Sequence, residues 1–189
     1  MEDIVLVGFG GHALSVADSI ERLGKYRIAG YTDLFEHESK YQYLGIDDNL
    51  KSIFERGIKK AAIGIGYIGK GDIRHRIYEK IKEIGFELPV IADPSAIISE
   101  SAVVGEGTFI GKNVIVNAES HVGKMVIINT NAVIEHECEV GDFTHVAVSA
   151  VLCGQVRIGE AAFIGANSTI IQCREVESHI IVPAGVIVR

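Results

Sequence analysis

Two different hydrophobic periods divide this chain. From residue 98 an aliphatic residue recurs at every sixth position: Ile98, Val104, Ile110, Val116, Val122, Ile128, Ile134, Val140, Val146, Leu152, Ile158, Ile164, Ile170, Val176, Val182 and Val188. The slot four residues later is small or β-branched through twelve repeats, from Ala102 and Thr108 to Ala162 and Ser168. The slot just after the aliphatic one is often Gly (Gly105, Gly111, Gly123, Gly141, Gly159, Gly165) or Asn (Asn117, Asn129). A period of six belongs neither to a helix nor to a plain strand. It predicts a short strand and a corner, repeated, with the aliphatic and small slots pointing inward. Gly and Asn are expected to make the corners because they tolerate positive φ. Three sides close a triangular coil of 18 residues, so residues 98–189 make about five coils of a parallel β-helix. At ~4.8 Å per coil the prism is roughly 24 Å tall. Its sides lack a repeated outward Thr or polar ladder, which argues against a purely structural solenoid.

The first half alternates strand and helix patterns. Ile4–Val7 reads as a buried strand, and Leu14, Val16, Ala17, Ile20 and Leu23 follow at helical spacing with Gly24 as a stop. Strand Arg27–Tyr31 ends in Thr32-Asp33, and a helix runs from near Asp48 to Gly57. Strand Ala61–Ile65 leads into a third helix, about Asp72 to Ile84, and strand Leu88–Ala92 reaches Asp93-Pro94. This order implies a small parallel sheet. The expected domains are therefore a Rossmann-like α/β domain at 1–93 and the β-helix at 94–189.

Gly8-x-Gly10-x-x-Ala13 after a strand, with Asp33 twenty residues beyond Ala13, matches the dinucleotide fingerprint. It offers a tight glycine turn and a helix N-terminus that attracts phosphate. A dinucleotide needs two such halves, and about 90 residues supply one, which suits a single nucleotide diphosphate. A turn that merely packs strand on helix is the alternative. Net charge is −7. Residues 1–95 carry 13 basic and 15 acidic side chains, and residues 96–189 carry 5 and 10. Nucleic acid is excluded as the expected partner, because phosphate contacts need clustered Lys and Arg. No apolar stretch approaches the ~20 residues of a membrane span, and Met-Glu-Asp before a short apolar run is not a secretory leader. The three cysteines, Cys138, Cys153 and Cys173, have no paired spacing and are expected to be reduced thiols in a cytoplasmic protein.

The glycine turn Gly8-Phe9-Gly10-Gly11-His12, the prism, and the stretch Ile134-Glu135-His136-Glu137-Cys138-Glu139-Val140-Gly141-Asp142-Phe143-Thr144-His145-Val146 together resemble the bacterial nucleotide-sugar acetyltransferases of the left-handed β-helix family. The resemblance covers nearly the whole chain. It implies a homotrimer, with acetyl-CoA as co-substrate in the groove between subunits and transfer to the 4-amino group of a UDP-linked amino-dideoxy sugar. It also implies roles. Gly10, Gly11 and His12 would contact the nucleotide sugar, with Asp33 and Gly66 nearby and Asn129 at the substrate amine. His136 would be the general base, oriented by Glu137. His145, Gly154, Ala166 and Ala184 would line the acetyl-CoA path. The family usually has an acidic pair where this chain has Thr32-Asp33, and it continues for a further rung and a tail where this repeat stops at Arg189 in mid-coil.

The chemistry fits those residue types. Acetyl transfer from a thioester needs a base for the attacking amine and donors for the developing oxyanion. Histidine titrates near pH 6.5, and a neighbouring carboxylate fixes its tautomer. His136 lies two residues after inward Ile134, hence at a corner, where adjacent Glu137 can reach its ring. A solvated corner residue is the alternative. His145 precedes inward Val146 and faces outward, where a neighbouring prism would pack; a plain interface histidine is the alternative. His12 is either a ligand contact or a helix cap. His121 shares the slot of His145 without a motif around it, and His37, His75 and His179 read as surface residues. No metal is expected, because Cys138 points inward while His136 and His145 do not. Outward Val103, Ile115, Ile127, Val133 and Val151 leave flat apolar sides that mark an interface. Sugar O-acetylation, a non-catalytic nucleotide-sugar-binding protein and, last, a dehydrogenase are the competing readings. The choice of sugar would rest on the loops at 32–47 and 66–71.

Overall fold

The computed structural model describes residues 1–66 and 73–189. They fall into two compact units that divide between Ile91 and Ala92. Of the loop at 66–71, only Gly66 lies within the described residues.

The first unit runs β1 (Glu2–Val7), α1 (Gly11–Leu23), β2 (Tyr26–Thr32), a 3-10 turn at Asp47–Asn49, α2 (Leu50–Glu55), β3 (Lys60–Ile63) and α3 (Ile73–Ile84). Its parallel sheet has the order β2-β1-β3. The central strand is covered on both faces, so Ile4, Val5, Leu6 and Val7 are all buried, which explains their unbroken apolar run. Helix α1 buries Ala13, Val16, Ala17 and Ile20. It ends at Gly24, whose left-handed φ of 67° lets its N–H reach the Ile20 carbonyl at 3.3 Å.

The expected fourth strand, Leu88–Ala92, does not join this sheet. Only Ile91–Ala92 is extended, and it opens the first face of the solenoid. The reason is register: Ala92 stands six residues before Ile98, in the inward slot, where an alanine hides the repeat. The Asp93 N–H then donates to the Ile110 carbonyl at 2.8 Å, the same bond that links every later coil. Glu87 instead forms an isolated parallel bridge to Lys60.

In the second unit, two-residue strands stack into three parallel sheets of six, six and five strands. Face one holds Phe109–Ile110, Ile127–Ile128, His145–Val146, Phe163–Ile164 and Ile181–Val182 above Ile91–Ala92. Face two runs from Ile97–Ile98 through Ile115–Val116, Val133–Ile134, Val151–Leu152 and Thr169–Ile170 to Ile187–Val188. Face three runs from Val103–Val104 through His121–Val122, Glu139–Val140 and Arg157–Ile158 to Glu175–Val176. The second residue of each strand points inward, and Ile110, Ile128, Ile134, Val146, Leu152, Ile164 and Ile170 are fully buried. Burial of one such side chain contributes about 1.5–3 kcal/mol.

The corners differ from expectation. Positive φ does not fall on the Gly and Asn after the aliphatic slot. It falls two residues later, at Asn113, Glu119, Met125, Asn131, Glu137, Phe143, Ser149, Gln155, Ala161, Asn167, Cys173 and His179, with φ between 52° and 64°. These residues accept a left-handed conformation, at roughly 1–2 kcal/mol each, because their N–H groups then bond to the coil below. Gln155 to the His136 carbonyl at 2.9 Å is one instance. The recurring glycines serve close approach instead. A Cβ on Gly141 would lie 2.6 Å from the Glu160 nitrogen, and one on Gly105 would lie 2.5 Å from the Lys124 nitrogen.

The outward residues distinguish the faces. On face one Phe109, Ile127 and His145 are already buried, so Ile127 is not available to another chain as its sequence position suggested. Face three carries exposed His121, Glu139, Arg157 and Glu175. Face two is the apolar side: Ile97, Ile115, Val133, Val151, Thr169 and Ile187 line it, partly or fully exposed. Among the described residues, no helix is long and apolar enough to cross a membrane.

Candidate functional site

The α/β unit builds a glycine turn between β1 and α1. Gly8 has a φ of 84°, and a Cβ there would collide with the Ile65 side chain, so this position is glycine for conformation and for space. Gly10 and Gly11 differ: nothing lies within 4 Å of a Cβ built on either. Packing does not demand glycine there, and bare backbone faces open space at the start of a 13-residue helix. His12 belongs to the same turn, and a Cβ on Gly66 would meet the His12 Cβ at 3.4 Å, so Gly66 lies beside it. The N-cap of α1 is Gly10, without a side-chain cap bond, so His12 is not the cap.

Asp33 follows β2 directly and ties this turn together. One carboxylate oxygen accepts the Phe9 N–H at 2.6 Å, the other accepts the Leu34 N–H at 2.6 Å, and His37 Nε2 stands 3.4 Å away. Asp33 thus holds the glycine turn from inside the protein, in addition to lying at its mouth. Phe9, which sequence reasoning passed over, stacks on buried Tyr31 with ring centroids 4.1 Å apart. Thr32 is buried and donates its hydroxyl to Asp47 at 2.7 Å.

The prism carries two further clusters on different corners. At the corner after face two, the His136 Nδ1–H donates to Glu137 Oε2 at 3.0 Å. A carboxylate only accepts, so the bond puts the proton on Nδ1 and leaves the Nε2 lone pair unprotonated. Both side chains are about half exposed, at 54% and 52%. Glu135 accepts the His136 backbone N–H at 3.4 Å and is itself bound by Asn117 at 2.9 Å. The His136 ring packs against Gly154 of the next coil: a Cβ there would sit 2.5 Å from Nε2 and 2.6 Å from Cε1. Gly154, expected to line the coenzyme path, therefore also makes room for the imidazole. Gln155 donates to the same Glu137 oxygen at 3.2 Å. Only the 18-residue spacing from Glu137 to Gln155 signals that contact in the sequence.

At the corner after face one, Asn129 Nδ2 and His145 Nε2 are 2.7 Å apart. His145 is only 7% exposed and stands edge-on to Phe163, with centroids 5.0 Å apart. Ala166 and Ala184 lie on this same corner, eighteen residues apart and hence one above the other, and Gly185 N–H bonds to the Ala166 carbonyl at 2.8 Å. The structure thus groups Asn129, His145, Ala166 and Ala184 on one edge and His136, Glu137 and Gly154 on the next. Within one prism these two groups do not meet, and face two separates them.

Cys138 is not placed to react. Cys138 is buried among the small inward slots, and desolvation pushes its thiol above the usual range. No group of three His, Cys, Asp or Glu able to hold a metal ion occurs among the described residues.

A glycine-turn α/β unit followed by a left-handed hexapeptide β-helix defines a class, the β-helix acyltransferases with an α/β front domain. Comparison with known proteins narrows it. Residues 3–81 match the family model of the PglD N-terminal domain. The chain is 30% identical over 114 residues to UDP-N-acetylbacillosamine N-acetyltransferase of Bacillus subtilis, covering 58% of this chain and 51% of that protein. It thus spans about half the length of that curated relative. A point mutant of GDP-perosamine N-acetyl transferase from Caulobacter crescentus, solved with CoA and GDP-perosamine, superposes with a TM-score of 0.93 at 31% identity over 100% of this chain and 89% of that one. The acetyltransferase domain of PglB from Neisseria gonorrhoeae, solved with acetyl coenzyme A, gives 0.90 at 30% identity over 99% and 92%. The chain belongs to this family of sugar N-acetyltransferases.

Proposed function

We propose that this protein transfers an acetyl group from acetyl-CoA to the 4-amino group of a UDP-linked amino-dideoxy sugar, with His136 as general base. The observation that carries the reading is the His136–Glu137 pair at a half-exposed corner, whose tautomer leaves the Nε2 lone pair unprotonated. Nε2 takes the proton that the amine loses as its nitrogen bonds to the acetyl carbon. The carbon–sulfur bond then breaks, and the imidazolium returns its proton to the departing sulfur, so that coenzyme A leaves as the thiol and the base is regenerated. Glu137 stabilises the imidazolium formed in between. Both substrates react while bound together, so no covalent enzyme intermediate is needed. Gly10, Gly11 and His12 offer backbone amides and a helix N-terminus to the diphosphate, with Gly66 beside them and Asp33 bracing the turn.

The proposed assembly is a homotrimer closed on face two. That face is apolar and flanked by the two edges that carry His136 and Asn129, so packing it about a threefold axis brings the His136 edge of one chain to the Asn129–His145 edge of its neighbour. Gly154 from one chain and His145, Ala166 and Ala184 from the next would then border the acetyl-CoA groove. The proposed domains are the nucleotide-sugar unit at 1–93 and the catalytic unit at 94–189, and the proposed location is the cytoplasm. A GDP-linked amino sugar is the second reading, favoured by the GDP-perosamine relative. The test is product mass after incubation with acetyl-CoA and UDP- or GDP-linked amino sugars, with free amino sugars and sialic acid as controls. Acetylation of a nucleotide-linked 4-amino sugar supports the proposal; acetylation of sialic acid alone would replace it with O-transfer.

A further inference from the structure

The corner after face two carries a column that the chemistry so far does not use. Glu119, Glu137, Gln155 and Cys173 occupy the same left-handed position in four successive coils, with φ of 58°, 57°, 61° and 58°. Identical backbone conformations aim their side chains outward one above another, at the ~4.8 Å spacing of parallel strands. Three of the four are joined. Cys173 Sγ–H donates to Gln155 Oε1 at 3.2 Å, and Gln155 Nε2 donates to Glu137 Oε2 at 3.2 Å. That oxygen is the one that holds His136 Nδ1 at 3.0 Å.

Chemistry restricts what position 155 can be. A half-exposed glutamate can rotate away from its histidine, and Glu119 one coil below repels it. A second donor on Oε2 from above counters both effects. A carboxylate at position 155 would sandwich Glu137 between two like charges, whereas an amide brings donors without charge. An amide can also face either way. The Cys173 thiol engages Oε1, which leaves the NH₂ group for Glu137; the reverse orientation would set two acceptors against each other.

We propose that Gln155 is a positioning residue for the general base: it holds the Glu137 carboxylate, and through it the His136 imidazole, while Cys173 fixes which end of the Gln155 amide faces down. The inference rests on His136 being the base.

The test compares Gln155→Met, Gln155→Glu, Cys173→Ser and Cys173→Val by kcat, KM for both substrates and pH–rate profile. Met matches Gln in length, and the site is exposed, so thermal unfolding should not move. Gln155→Met should lower kcat about three- to tenfold, the worth of a charge-assisted hydrogen bond between half-exposed groups, with both KM values within about twofold. The loss should vanish in a Glu137→Ala background, because Gln155 then has nothing to hold. Gln155→Glu adds negative charge near the imidazolium and should move the acidic limb of kcat to higher pH. The charged and titratable groups around it are His136, Glu119, Glu135, Glu137 and Cys173 at the corner, with His121, Glu139, Arg157, Arg174 and Glu175 lining the adjoining groove. Cys173→Ser keeps the donor and should match wild type, while Cys173→Val should lose part of what Gln155→Met loses. Unchanged kcat and pH profile in Gln155→Met, or an equal loss with Glu137 absent, would overturn the inference. If His136→Ala keeps near-wild-type turnover, the base and this inference fall together. If His136→Ala is inactive while Gln155→Met behaves as wild type, the base stands and this inference alone falls.

Discussion

Gly154 makes the sharpest quantitative prediction. It is the one glycine among the residues that stand two positions after an inward slot, and it lies directly above His136. An alanine methyl there would sit 2.5 Å from Nε2 and 2.6 Å from Cε1. Ordinary contact begins near 3.4 Å, so the ring must retreat by about 0.9 Å. The φ of Gly154 is not in the left-handed region, so alanine adds no backbone strain, and the corner is only half-buried. The fold should survive while the base moves. Displacement of a catalytic group by about 1 Å costs as much as 10²-fold, and Gly154→Ala should lower kcat by about 10–10². The KM for the nucleotide sugar should hardly change. Steady-state kinetics at saturating acetyl-CoA, beside a thermal melt of the same preparation, separates the outcomes. A normal melt with wild-type kcat would refute the seating of His136 on Gly154. A raised KM for acetyl-CoA at unchanged kcat would mean that Gly154 meets the coenzyme rather than the imidazole.

Other outcomes follow from the same geometry. Gly11→Val adds bulk where nothing lies within 4 Å, so it should fold normally and raise the KM for the nucleotide sugar far more than that for acetyl-CoA; equal effects would remove the glycine turn from the substrate site. Gly141→Ala places a methyl 2.6 Å from the Glu160 nitrogen and should destabilise the protein by about 1–3 kcal/mol, measured by urea unfolding. Val133→Glu puts a charge in the middle of apolar face two and should convert a trimer of about 61 kDa, three times 20.4 kDa, into inactive monomers by light scattering; an active monomeric wild type would contradict both assembly and shared site.

The β-helix was legible because its period is local: sixteen consecutive inward slots are aliphatic, and only a six-residue coil side satisfies that. The strand expected at Leu88–Ala92 was placed in the wrong sheet because Ala92 does not look aliphatic, and the pairing of Ile91–Ala92 with a strand eighteen residues on is a property of the stack. The reason for the corner glycines was misplaced for a related cause. Sequence shows which residues tolerate positive φ, but the approach of the next coil, unseen in one repeat, decides where glycine is required. The His136–Glu137 contact could be read because the two are neighbours. Asp33 holding the Phe9 N–H, and Gln155 holding Glu137, could not, because each joins residues brought close only by the stacking of parallel strands.

The central claim is that the Nε2 of His136 receives the proton of the attacking amine. Its most direct test is single-turnover acetylation of a UDP-linked 4-amino sugar by wild type and His136→Ala at matched protein concentration, followed by product mass. The corner side chain buries little, so the variant should fold, bind both substrates and turn over about 10²–10⁴ times more slowly, the usual contribution of a general base. A His136→Ala protein that acetylates the sugar at near the wild-type rate would contradict the account.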